Sequence, residues 1–195
     1  MTEDIRSALP LPNTRMSLAD FLALPETQIH IELINGIVVY PHDDTGADPN
    51  MSPSPHYDHQ RAVRQAFKII DATNKGETLF APMDLILPDE SIIQPDVIWI
   101  AEDNDRIHRD KRLHGVPDLV VEVLSPSTRA HDKIDKFRLY EKAGISEYWM
   151  VDPIGQFVEI CFLITGEYHR KDYKTGETFN STMLETSIIV ADFFA

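Results

Sequence analysis

At 195 residues, with 43% hydrophobic and 26% charged side chains, the chain has the composition of one compact domain, which excludes a disordered polymer and a multidomain machine. Its 18 basic residues face 32 acidic ones, a formal net charge of −14, so a polyanionic partner requires that the basic residues be concentrated in one place. Cys161 is the sole cysteine, which rules out an internal disulfide and a thiolate metal site, and neither a signal-peptide pattern nor an apolar run near the ~20 residues of a membrane span is present; a cytoplasmic protein with no membrane partner is expected.

The first fifteen residues, punctuated by proline and without apolar periodicity, predict a flexible arm, and 16–195 a single domain. Ser17 is placed to cap a short helix built on Leu18, Phe21, Leu22 and Leu24, which Pro25 ends. IELINGIVVY then reads as two strands around Asn35-Gly36, the pair best suited to a type I′ turn, and Glu32 falls in the first of them. HDDTGADPNMSPSP is too rich in Asp, Pro and Gly for regular structure. A helix from about Tyr57 to Thr73 follows, with Ala62, Ala66, Ile69 and Ile70 on its apolar face.

TLFAPMDLILP, QPDVIWIA and PDLVVEVLS read as strands, the last two apolar on both faces like central strands covered on each side. EDNDRIHRDKRLHGV between them reads as a polar loop with one helical turn. A helix over 127–143 with Gly144 as its C-cap, followed by EYWMVDP, predicts a βαβ unit with parallel strands. The tail, FVEICFLI, GEYHRKDY, ETFN and TSIIV, adds further strands. The class is α/β: a mixed sheet flanked by helices, with extra β-hairpins.

Asp96 and Glu122 stand out because each is an acid inside an apolar strand, where an unpaired ionised carboxylate costs several kcal/mol. A basic partner, main-chain donors or a divalent cation can compensate it. Alternation puts Asp118, Val120, Glu122 and Leu124 on one face, and pairing of neighbouring strands brings Asp96 beside Glu122. On the following helix, Ala130, Ile134 and Phe137 form the expected buried stripe, with Asp132, Lys136 and Tyr140 on the ridge beside it. Lys136 is thereby able to reach the carboxylates.

The order Glu32, PD at 95–96, EVL at 122–124, SPST, DKIDKFRLYEKAGI and EYWMVDP resembles the Uma-two family of endonucleases, of the PD-(D/E)xK or restriction endonuclease-like superfamily. The resemblance runs over roughly residues 16 to 194. It implies a restriction endonuclease-like fold, an Mg²⁺ or Mn²⁺ site and hydrolysis of DNA phosphodiesters. Leu124 occupies the place of the superfamily's lysine two residues after the acid; the resemblance moves that role to Lys136, with Lys133 as runner-up. It implies Glu32, Asp96, Glu122 and Lys136 as catalytic residues, the metal being held by Asp96, Glu122 and the Val123 carbonyl. His56, His59, Lys133 and Tyr140 are then the candidates to face substrate, and a homodimer is the expected assembly for cutting a duplex.

Plainer readings stand beside these. Glu32 near a hairpin turn reads equally as a surface acid, Asp96 after Pro95 as a strand cap, Lys136 as a solvated helix residue, and Tyr140 as packing. His56 and His59 at i, i+3 read as a weak metal pair or as caps. Two functional alternatives also remain: a catalytically weak accessory or binding protein on the same fold, and a metal-dependent hydrolase of smaller phosphates. Nine of the eighteen basic residues but only six acids lie between Arg106 and Lys142, which predicts a basic rim around the site.

Overall fold

The computed structural model describes residues 8–27, 29–41, 57–125 and 129–195, apart from the side chain of Ala130. Two six-stranded sheets organise the chain. The central one has the order β12-β11-β10-β9-β6-β3, formed by β3 (Gly76–Phe80), β6 (Val97–Ala101), β9 (Leu119–Val123), β10 (Glu147–Asp152), β11 (Phe157–Ile164) and β12 (Glu167–Lys174). β9 and β10 run parallel, as the βαβ pattern predicts, and every other pair is antiparallel. The second sheet has the order β2-β1-β5-β4-β8-β7. It comprises β1 (Glu32–Ile34), β2 (Ile37–Val39), β4 (Leu85–Ile86), β5 (Ile92–Ile93), β7 (Ile107–Arg109) and β8 (Leu113–Gly115), and a hairpin of β13 (Thr178–Ser181) and β14 (Thr186–Ile189) stands apart.

Four helical elements accompany the sheets among the described residues: α1 (Leu18–Leu22), α2 (Tyr57–Asp71), a composite helix, here α3, and a short 3-10 helix (Val190–Phe194). α3 runs as one turn over Arg129–His131, a π-helical segment over Asp132–Lys136 and an α-helix over Phe137–Ala143, closed by Gly144 at φ 82°. The alternation of the central strands separates two cores. Ile98, Ile100, Val120, Leu124 and Met150 pack with Leu139 and Tyr140 of α3, while Val97, Trp99, Val121, Val123 and Val151 pack with Ala62, Ala66 and Ile70 of α2.

Several sequence expectations are corrected. The polar stretch before Val116 forms the β7–β8 hairpin rather than a helical turn: Ile107 and Leu113 point inward, and Asp110 accepts the Arg112 N–H to close the turn. Gly115 is required there, because at φ +126° a Cβ would come 1.8 Å from the Arg106 carbonyl oxygen. TLFAPMDLILP is not one strand but β3 and β4 in different sheets, broken at Pro82, which has no N–H to give to a ladder. Of the arm expected at 1–15, residues 8–15 lie along the β1–β2 hairpin: Asn13 N–H donates to the Val38 carbonyl, Val38 N–H to that of Thr14, and Arg15 bridges Ile37. The Asn35-Gly36 turn has φ 51° and 74°, as the hairpin reading requires.

The buried face of α3 is also shifted from expectation. Ile134 is 52% exposed and Phe137 half-buried, whereas Asp132, Lys136, Leu139 and Tyr140 are buried. A π segment widens the turn, so a wheel drawn at 100° per residue loses phase through it. Lys136 tolerates the inward face because it pairs with an acid of each sheet, and Asp132 lies 3.7 Å from the same ammonium. Among the described residues no helix is long and apolar enough to cross a membrane.

Two acids at the ends of β10 fasten the fold. Glu147 is buried and accepts from Trp149 Nε1 at 2.9 Å, Ser181 Oγ at 2.8 Å and the N–H groups of Thr182 at 2.6 Å and Met183 at 3.0 Å. Glu147→Ala strands four donors and is expected to cost about 3–5 kcal/mol in urea unfolding. Asp152 pairs with Arg129 Nη1 at 2.7 Å and accepts from the N–H groups of Ile154 and Gly155, tying the start of α3 to the end of β10. Burial alone would raise the Asp152 carboxyl, but Arg129 and these N–H groups hold it below its ordinary value. Its contribution is therefore complete above the unfolded-state pKa, about 4, and lost as pH falls through the lower native value. Asp152→Asn is expected to shrink the wild-type-minus-variant stability difference between pH 7 and pH 3.

Candidate active site

Glu122 and Asp96 meet through strand register. β6 and β9 pair with Val97 opposite Val121, and one further step places Asp96 opposite Glu122, on the face that packs against α3. Asp96 sits just before β6, anchored by the Val123 N–H donating to its Oδ2 at 2.7 Å. Glu122 is buried inside β9.

Lys136 fills the space between the two sheets. Its Nζ lies 2.8 Å from Glu122 Oε1, 3.2 Å from Glu32 Oε1 and 3.7 Å from Asp132 Oδ1. It is 3% exposed, so the surface-lysine reading does not hold. Tyr140 donates its hydroxyl to the same Glu122 oxygen at 2.7 Å. Glu32, fully buried at the start of β1, also accepts from the Gln94 N–H at 3.2 Å and faces His131 Nε2 at 3.0 Å from Oε2 and His30 Nε2 at 3.4 Å from Oε1. It is buried beside Lys136 and is not a surface acid.

The electrostatics follow from one ammonium shared by several buried acids. Burial would raise Glu32, but Lys136, His131 and His30 outweigh it and keep that carboxylate well below its ordinary range. Burial also disfavours a charged Lys136, yet Glu122, Glu32 and Asp132 together push it well above the ordinary lysine value. Glu122 goes the other way: burial, with Asp132, Asp96 and Glu32 nearby, raises it well above the carboxylate range despite Lys136. The site holds more negative charge than its lysine neutralises.

His59, on the first turn of α2, brings its Nε2 to 3.4 Å from Asp96 Oδ2. Burial opposes its charged form, but Asp96, Asp132 and the Val123 carbonyl raise it above the ordinary imidazole value. His59 therefore faces two of the atoms expected to hold metal. The other residues expected at substrate are placed differently. Tyr140 is fully buried and spends its hydroxyl on Glu122, so it does not line a surface. Lys133 is turned to Glu159 on β11, 2.6 Å away, and not to Glu122. His56 lies outside the described residues.

His131, Asp135 and Gln94 were not anticipated in the sequence. His131 and Asp135 stand at i, i+4, which was the available signal. The basic concentration between Arg106 and Lys142 is largely consumed: Arg106, Arg109 and Arg112 pair with Asp118, Glu77 and Asp84. Lys142 pairs with Asp89. A freely basic rim is not what these residues form.

A divalent cation fits this donor set by its chemistry. Among the described residues no three His, Cys, Asp or Glu side chains form a cage by themselves. Magnesium-type ions, however, are held by one or two carboxylates with other oxygens and water. Asp96 and Glu122, with the Val123 carbonyl beside them, supply hard oxygens where negative charge is in excess.

A crystal structure from Anabaena variabilis ATCC 29413, of a protein described as a "putative nuclease belonging to DUF820", matches this fold with a TM-score of 0.72 at 18% identity, covering 92% of this chain and 97% of that one. The class is thus an α/β protein with the fold of that protein. The family model Uma2, described as "Putative restriction endonuclease", matches residues 18–190, and the chain belongs to this family. A protein of Synechocystis sp. (strain ATCC 27184 / PCC 6803 / Kazusa), slr1290, described as uncharacterized, is 35% identical over 79 residues, which make up 40% of this chain and 37% of that protein. The match thus spans little more than a third of that relative's length.

Proposed function

We propose that the chain is an endonuclease that hydrolyses DNA phosphodiester bonds with Mg²⁺ or Mn²⁺ held by Asp96, Glu122 and the Val123 carbonyl. The observation that carries this reading is the convergence of Asp96, Glu122 and Lys136 from two neighbouring strands and a helix, with the ammonium 2.8 Å from Glu122. When bound, the cation supplies Lewis-acid polarisation of a phosphoryl oxygen and acidifies water. Lys136, pushed up by its acid neighbours, stays an ammonium, so it stabilises developing negative charge and is not a proton acceptor. Tyr140 and Lys136 both hold Glu122 Oε1 and leave Oε2 without a hydrogen bond among the described residues. Glu32 holds Lys136 from the opposite sheet. His59 contacts Asp96 on the side of α2 and faces the substrate phosphate.

The net charge of −14 and the absence of a lysine at position 124 are the sequence grounds for a binding-only protein. Lys136 occupies that role from α3, which favours catalysis. Because so many basic residues are paired with acids, few remain to displace counterions from phosphates, so DNA binding should be weak and its salt dependence shallow. A homodimer would supply two such sites for the two strands of a duplex. Mn²⁺ titration by calorimetry, together with hydrolysis of an oligonucleotide against a mononucleotide, tests the reading. Metal binding with cleavage of the oligonucleotide alone is expected. Absent metal binding would make the chain an accessory protein, and mononucleotide hydrolysis would make it a small-phosphate hydrolase.

A further inference from the structure

Glu32 divides its two oxygens between different tasks. Oε1 serves Lys136 and the Gln94 N–H, whereas Oε2 faces His131 Nε2 at 3.0 Å. The other ring nitrogen, Nδ1, lies 3.1 Å from Asp135 Oδ2. Glu32 is fully buried, the His131 side chain is 10% exposed and that of Asp135 59%, so the imidazole spans from the surface to the buried carboxylate. Both of its partners are carboxylates, which when ionised only accept, so the imidazolium form satisfies this geometry at both nitrogens; burial opposes that charge, but Glu32 and Asp135 outweigh it and raise the ring above its ordinary value.

A carboxylate turns easily about its last bond, and the torsion well is broad. Held on Oε1 alone, Glu32 could rotate and carry that oxygen away from Lys136. A second hold on Oε2 removes this freedom. Asp135 in turn fixes the orientation of the ring. We propose that His131 is a positioning residue for Lys136: acting through Glu32, and aligned by Asp135, it holds the ammonium where Glu122 needs it. The catalytic part of this inference rests on the nuclease reading above; the positioning part does not.

Two substitutions separate the two ring nitrogens. The amide nitrogen of Gln mimics Nε2, so His131→Gln keeps the bond to Glu32; that of Asn mimics Nδ1, so His131→Asn keeps Asp135 and loses Glu32. With Mg²⁺, His131→Asn is expected to lower kcat roughly ten- to a hundredfold with KM unchanged, and His131→Gln to restore most of it. The ¹H–¹⁵N resonance of the Lys136 ammonium, read without metal or substrate, should stay sharp in wild type and His131→Gln and broaden away in His131→Asn. An unchanged ammonium resonance in His131→Asn, or equal loss in both variants, overturns the proposal. A wild-type protein that does not cleave DNA, with the resonance pattern as expected, overturns the nuclease reading and leaves the positioning role standing.

Discussion

Lys136→Met is expected to lower the stability of the metal-free protein by about 3–5 kcal/mol, measured by urea unfolding, because it leaves buried charge without its partner. Methionine matches the length of the lysine stem, so a cavity does not explain the loss. The cost is electrostatic. Glu32, Glu122 and Asp132 are each nearly or fully buried and all face the one ammonium. Without it, Glu32 keeps His131, His30 and the Gln94 N–H, whereas Glu122 retains, among the described residues, only the Tyr140 hydroxyl. Glu122 then takes up a proton, and part of the loss is recovered as the pH is lowered. The same substitution should reduce cleavage by about 10²–10³-fold, the usual effect of deleting one positive stabiliser of a transition state.

Glu122→Gln should separate stability from function. Burial and its acidic neighbours already push this carboxyl up, so a neutral amide in its place relieves repulsion, and the metal-free variant is expected to be at least as stable as wild type. It should nonetheless lose the stabilisation that a bound cation gives. For wild type that gain is about 2.7 kcal/mol at one hundred times the dissociation constant. Thermal unfolding with and without Mn²⁺ reads both effects. A wild-type melting temperature that rises with Mn²⁺, against a flat response in Glu122→Gln and Asp96→Asn, is the expected pattern. An equal rise in all three would place the cation elsewhere.

The two carboxylates were legible because strands have a period of two and tolerate no unexplained acid on a buried face. Glu122 between Val121 and Val123 announces itself, and the pairing of β6 with β9 follows from two adjacent apolar strands. A helical wheel puts Lys136 on the ridge beside the buried stripe, within reach of the carboxylates, but for an incomplete reason. The wheel assigned the inward face to Ile134, which is exposed, because the π segment shifts the phase of the helix, and no residue type signals that shift. The β7–β8 hairpin was hidden by its polar residues: only Ile107 and Leu113 turn inward, too few for an alternating pattern. His131 is one imidazole on a charged helix until the fold brings β1 against it from 99 residues away. Long-range pairing of that kind leaves no local trace. The basic stretch from Arg106 to Lys142 misleads in the opposite sense, since Glu77, Asp84 and Asp89 from outside it, and Asp118 from within it, pair with its cations.

The net charge of −14 fits a protein in which, among the described residues, nine of the eighteen Lys and Arg pair with acids and whose site gathers acids around one lysine. A cation completes such a site, and phosphate is then drawn to the cation more than to the surface around it. Plasmid cleavage in Mg²⁺ or Mn²⁺ at low salt, by wild type, Asp96→Ala and Glu122→Ala purified in parallel, tests this most directly. Nicking by wild type that is lost in both variants and on chelation is the predicted result; equal nicking by all three, or none by a wild-type protein that binds the metal, would contradict it.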